Sequence, residues 1–124
     1  MWHRIIIAAG SLAGCTGVAL GALTAHKFSA QLDAHALASL RSANLYLLIH
    51  ALLLVVIGVW LRAAPSGVML RIAGALCVTG IVCFCGGLAL SAISSNAAFA
   101  RAAPAGGLAF MAAWLSLAAA AISD

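Results

Sequence analysis

Two histidines stand where chemistry could occur: His26 closes GALTAH, residues 21–26, and His50 interrupts LYLLIHALLL, residues 45–54. An imidazole changes charge near neutral pH, so a histidine inside a membrane can relay protons, ligate haem together with a second histidine, or hold a lipid or quinone headgroup. It can equally stay neutral and hydrogen-bond another helix or a backbone carbonyl. Against a relay, Asp33 and Asp124 are the only acids and neither falls in an apolar segment. Haem needs ligands at matched depth on two helices, and His26 sits at a segment boundary beside Lys27. The reading left for His26, His50 and neighbouring Tyr46 is a structural polar contact or contact with a lipid or quinone headgroup, with no cofactor.

The cysteines offer no alternative centre. Cys15 lies alone, and Cys83 and Cys85 are two residues apart, hence roughly 200° around a helix, so they cannot clamp one metal. With Cys77 they read as small apolar packing residues, and no metal is expected.

The elements that must carry these residues follow from composition. Of 124 residues, 66% are hydrophobic and 6% charged, whereas soluble domains are about 25% charged. A hydrocarbon core of about 30 Å needs roughly 20 apolar residues per helix, and four such windows occur, near Ile5–Ala25, Leu45–Leu61, Ile72–Ile93 and Gly106–Ile122. Nothing alternates as barrel strands do, so the fold class is an all-α membrane protein. It is a four-helix transmembrane bundle forming a single integral membrane domain over residues 1–124. The start, MWHRIIIAAGSLAG, has the charge pattern of a secretory signal, but its run to Ala25 is long enough to span, and retention is expected.

The net charge of +4 does not point to nucleic acid, because the basic residues lie one or two at a time at segment ends, as interfacial anchors. Four spans put Arg4, Arg62 and Arg71 on one side and Lys27, Arg41 and Arg101 on the other. Asp33 offsets the second group, so both termini are expected on the cytoplasmic side. The connection Lys27–Asn44 is expected to form a short interfacial helix between helices 1 and 2. Ser29 can cap it, Arg41 suits its last turn, and Phe28, Leu32, Ala36 and Leu40 share a face.

Small residues carry the packing signal. Gly10, Gly14, Gly17 and Gly21 recur at i, i+4, i+7 and i+11 on the first helix, and Ala109, Ala113, Ser116 and Ala120 repeat that spacing on the fourth. Lipid tails give no hydrophobic drive for helices to associate, so close approach over small residues must do so. The second helix is large and branched nearly all round, which suits broad lipid exposure or a partner's surface. Leu52, Val55, Val56, Val59 and Trp60 are its expected partner-facing residues.

In order along the chain, GALTAH, YLLIHALLL, CFCGGLALSA and AAPAGGLAFMAAWLSLAAAA resemble the small membrane family called domain of unknown function 423, whose eukaryotic relatives include transmembrane protein 256. That pattern runs roughly G-A-F-G-A-H, Y-Q-x-x-H-A, F-S-G-S-L-Y and T-P-x-G-G-x-x-F-x-x-G-W. Agreement falls at Gly21, Ala22, Ala25, His26, Tyr46, His50, Ala51, Phe84, Gly86, Leu88, Pro104, Gly106, Gly107, Phe110 and Trp114. The resemblance implies a four-helix inner-membrane protein of no established activity, in which Gly86, Gly106 and Gly107 join the packing glycines. Leu47, Cys85, Gly87, Ala89 and Ala103 each stand where the pattern has a hydrogen-bonding side chain.

With no nucleophile beside a base, no phosphate loop and no domain outside the membrane, the chain reads as non-enzymatic. Membrane lipids and other integral membrane subunits are its expected partners, as an accessory subunit of a larger membrane complex such as a respiratory one. The alternative is an oligomeric carrier of protons or of a lipid-like or quinone-like molecule.

Overall fold

The computed structural model describes residues 1–123 and contains no strand among them. Four long helices account for the fold: α1 Trp2–Gln31, α2 Ala34–Ala63, α3 Val68–Ser94 and α4 Ala97–Ile122. Each is apolar enough and long enough to cross a membrane. The breaks occur where local chemistry demands them. Leu32 is extended and Asp33 caps α2, its carboxylate accepting the Ala36 amide at 2.8 Å. Pro65 and Gly67 make the α2–α3 turn, in which the Gly67 amide donates to Ala64 at 3.0 Å. Ser95 ends α3 in the left-handed region at φ 55°, and the Asn96 side chain then accepts the Ala98 amide at 3.0 Å. The first turns of α4, Ala97–Ala102, are 3₁₀, before the α-helical run that carries Pro104 near its start.

The connection between the first two spans is helical, but it is not a separate interfacial helix. Residues up to Gln31 prolong α1 and residues from Ala34 prolong α2, leaving a break of two residues. Ser29 does not cap; its hydroxyl donates to the Ala25 carbonyl at 2.8 Å, a bond within the prolonged α1, and the capping role falls to Asp33. The cause is length. A 20-residue window measures the hydrocarbon, whereas 30 residues at 1.5 Å each reach about 45 Å, into both headgroup regions.

Two helices contain one π-helical turn each, Thr24–Phe28 in α1 and Ile81–Gly86 in α3. α1 lies almost wholly against α2, while α2, α3 and α4 surround the core. Close approach of α1 to α2 depends on glycine. A Cβ on Gly10 would stand 2.8 Å from the Ala51 carbonyl oxygen, and one on Gly58 3.1 Å from the Ile7 amide nitrogen. Gly17 faces Leu48 and Gly21 faces Asn44, whereas Gly14 is roomier, 3.9 Å from the Ala51 Cβ. Ala109, Ala113 and Ala120 are buried on α4, the side toward α3.

The large second helix is not broadly exposed. α2 is the most buried of the four, with 39% of its most apolar window covered against 17% for α1. Leu40, Leu54, Ile57 and Leu61 are wholly or almost wholly covered, because α2 is flanked by α1 on one side and α3 on the other. A helix without a polar face gives no period from which its buried side can be read.

Candidate functional site

His50 is buried in α2, and both ring nitrogens are occupied. Nδ1 lies 2.7 Å from the Tyr46 carbonyl oxygen, one turn earlier, so it carries the proton and donates. Nε2 then offers a lone pair, and the indole N–H of Trp114 on α4 donates to it at 3.3 Å. These two partners fix a neutral imidazole in one tautomer. The Cys77 thiol on α3 points at the His50 backbone carbonyl, 3.5 Å away, so three helices meet at this residue.

The ring is held as firmly by stacking. Phe110 of α4 lies face to face with His50, centroids 3.6 Å apart and planes 16° off parallel. Tyr46 lies nearly coplanar in tilt with His50 at 6.0 Å, and Phe84 of α3 meets Tyr46 at 4.9 Å. Glycines let these rings into the helix interfaces. A Cβ on Gly80 would run into the Phe110 ring, and one on Gly106 into the backbone nitrogen of Phe84. Phe84 itself sits within the π-helical turn of α3. Such turns recur at functional sites because they re-aim side chains within an otherwise regular helix.

Beside this cluster lies an open groove of about 380 Å³, lined by Tyr46, His50, Phe84, Pro104, Gly107, Leu108, Phe110, Met111 and Trp114. Trp114 remains 50% exposed and Tyr46 42%, so the groove opens sideways, onto the surface that lipid would cover.

Depth separates this site from either interface. Because α2 begins at Ala34, His50 is 16 residues into it and 13 from its end at Ala63. That is about 24 Å from one end and about 20 Å from the other, close to the middle of the helix. A helix starting near Leu45 would have put it about 7 Å deep, at the level of phospholipid headgroups. His26 is elsewhere. It is exposed within the π-helical turn Thr24–Phe28. The pairing of Gly21 with Asn44 puts it at least ~9 Å along the helix axis from His50. The structure therefore joins His50 and Tyr46 and leaves His26 apart.

Of the residues read as partner-facing, Leu52, Val56 and Val59 are exposed on α2. Val55 instead faces α1, where a Cβ on Gly10 would meet its side chain at 3.0 Å, and Trp60 packs against the buried core. Gly86 and Gly107 have room around them, unlike Gly106. No group of three His, Cys, Asp or Glu side chains among the described residues converges as a metal site would require. Phe110 and Trp114 were visible only as matches to a family pattern. Their i, i+4 spacing, like that of Tyr46 and His50, was the signal that one helix face of each pair would meet the other.

Four apolar helices of spanning length, packed through glycine and closed around a ring cluster centred on buried His50 and Phe110, define a small integral membrane protein. The chain belongs to the family described as Protein of unknown function (DUF423), whose profile matches residues 20–107. It is 28% identical to a UPF0382 membrane protein of Staphylococcus aureus and 31% identical to one of Staphylococcus haemolyticus, in each case over 114 residues covering 92% of both chains. No solved structure matches it.

Proposed function

We propose that this chain is a non-catalytic accessory subunit that seats α1 against a helix of another integral membrane protein. One observation carries the reading. Ala8, Ser11, Cys15, Ala19 and Ala22 recur at i, i+3, i+7, i+11 and i+14 on α1, and all five are exposed. This small-residue flank is distinct from the glycine stripe that α2 already covers. Large side chains serve a lipid-facing surface well, whereas a flank of small ones suits the backbone approach by which membrane helices associate. α1 is also the least covered helix, since it is packed on essentially one neighbour.

The polar side chains of the spans favour a subunit over a carrier. Ser11, Thr16, Thr24, Thr79 and Ser116 each donate to the carbonyl four residues back in their own helix, and His50 has both nitrogens engaged. A proton or solute path needs groups that pass a ligand between helices. Here those five hydroxyls are consumed within their own helices.

The test is site-specific photo-crosslinking in the native membrane, with a diazirine amino acid at Ala8, Cys15 or Ala22 and, as control, at Leu115 on the exposed surface of α4. The expected result is one and the same membrane polypeptide captured from all three α1 positions and not from Leu115, and lost on Ala19→Trp. Lipid adducts alone, or capture of a second copy of this chain, would overturn the reading. So would proton or solute movement by the purified chain in liposomes that His50→Ala abolishes.

A further inference from the structure

We propose that the groove beside His50 is a binding site for the planar ring of a lipid-soluble molecule, a quinone-type ring carrying carbonyl oxygens. The walls are rings from three helices: Tyr46 on α2, Phe84 on α3, and Phe110 and Trp114 on α4. His50, stacked on Phe110 at 3.6 Å and pinned through both nitrogens, closes the inner end. Flat walls that are already ordered favour a flat guest, because stacking then costs little further ordering.

Depth narrows the class of guest. The mouth of the groove at Pro104 lies about 10 Å from the start of α4, but its inner end, at His50, is about 20 Å or more from either end of α2, where a phospholipid headgroup does not reach and a water-soluble ligand does not partition. What can present polar atoms there is a ring whose own tail is hydrocarbon. The volume, about 380 Å³, is at the lower end for a small-molecule site and suits one substituted ring, with its tail leaving past Leu108 and Met111. A transmembrane helix would need a furrow along the whole span, which this is not. The polar handle is the Tyr46 hydroxyl, which lines the groove and has no hydrogen-bond partner among the described residues. In hydrocarbon an unpaired hydroxyl has no water to turn to, and a ring carbonyl would satisfy it.

Gly107 supplies the means of testing this without unfolding the protein. A Cβ there would meet Phe84 at 3.9 Å, an ordinary contact, so a larger side chain enters the groove rather than a helix interface. In nanodiscs, a variant carrying Trp2→Phe and Trp60→Phe keeps Trp114 as its single tryptophan. Its fluorescence is titrated with a 1,4-naphthoquinone bearing one isoprenoid unit. Saturable quenching is expected, weakened tenfold or more by Gly107→Leu and a few-fold by Tyr46→Phe, with circular dichroism unchanged in both. The corresponding isoprenoid alcohol, which lacks the ring, should not compete. Quenching that rises linearly without saturation, or that Gly107→Leu leaves unaltered, means partition into the bilayer alone and overturns the site. Competition by the ringless alcohol also overturns it, since the groove would then be taking a chain. A photo-crosslink from Leu108 to another polypeptide in native membranes would do the same, with protein as the occupant.

Discussion

The indole N–H of Trp114 donates to His50 Nε2 across 3.3 Å, linking α4 to α2 between residues 64 apart in the chain. It is the side-chain to side-chain hydrogen bond that ties the last helix to the second, and it closes the ring cluster on its lipid side.

Trp114→Phe should therefore lower stability by about 0.6–2 kcal/mol, the range measured for side-chain hydrogen bonds between membrane helices. His50→Ala should cost more, about 2–4 kcal/mol, because it also empties the space against Phe110 and leaves the indole donor alone. The double variant should lose less than the sum of the two. Reversible unfolding in mixed micelles reads all three, and strict additivity would argue against the bond.

The glycines divide by what stands in front of them. Gly106→Ala and Gly10→Ala push a methyl group into backbone atoms of Phe84 and Ala51 and should each cost about 1–3 kcal/mol. Gly14→Ala and Gly107→Ala meet only ordinary contacts at 3.9 Å and should be close to neutral. Thermal denaturation of the four variants in one detergent separates the pairs; a uniform response would mean that close helix approach is not what these residues serve.

At the α1–α2 break, Asp33→Ala should cost about 1 kcal/mol, the usual worth of an N-cap, while Asp33→Asn, which keeps the acceptor, should cost little. Hydrogen exchange at the amides of residues 35–37 reports the effect locally. Equal protection in both variants would show that the cap is idle.

Four spans place both termini on one side. Reporters inserted at Ser66 and at Asn96, in the turns before and after α3, should give opposite signals, with the Ser66 reporter cytoplasmic. Matching signals would remove a span from the fold.

Span number was legible because hydropathy responds to membrane thickness. Helix ends were not, because the residues beyond the hydrocarbon, such as Gln31 and Ala34, carry weak preferences that neighbouring turns decide. The place of His50 along its helix was misread for that reason alone: eleven residues added before Leu45 moved it from near the start of α2 to its middle. The glycine stripe on α1 could be read directly, since small residues at helical spacing have one simple use. The sidedness of α2 could not, because leucine, valine and isoleucine serve lipid and core alike. The convergence of Phe84, Phe110 and Trp114 on His50 depends on how α3 and α4 rotate, and part of that rotation comes from a π-helical turn with no marker in its sequence.

That turn has a genetic consequence. Relative to an α-helix, a π-helical turn accommodates about one extra residue, and one residue is worth roughly 100° of helix phase. The segment Ile81–Gly86 thus behaves as a phase shifter, letting Gly80 face Phe110 and Gly87 face the Phe99 carbonyl under two different angular registers of one helix. A chain lacking a single residue there could keep both halves of α3 in place by relaxing to plain α geometry. A single-residue deletion six positions earlier, at Ala75, has no such slack and would turn the first two turns of the helix, Val68–Gly74, away from their neighbours. Length variation among relatives in this helix should accordingly gather at Ile81–Gly86.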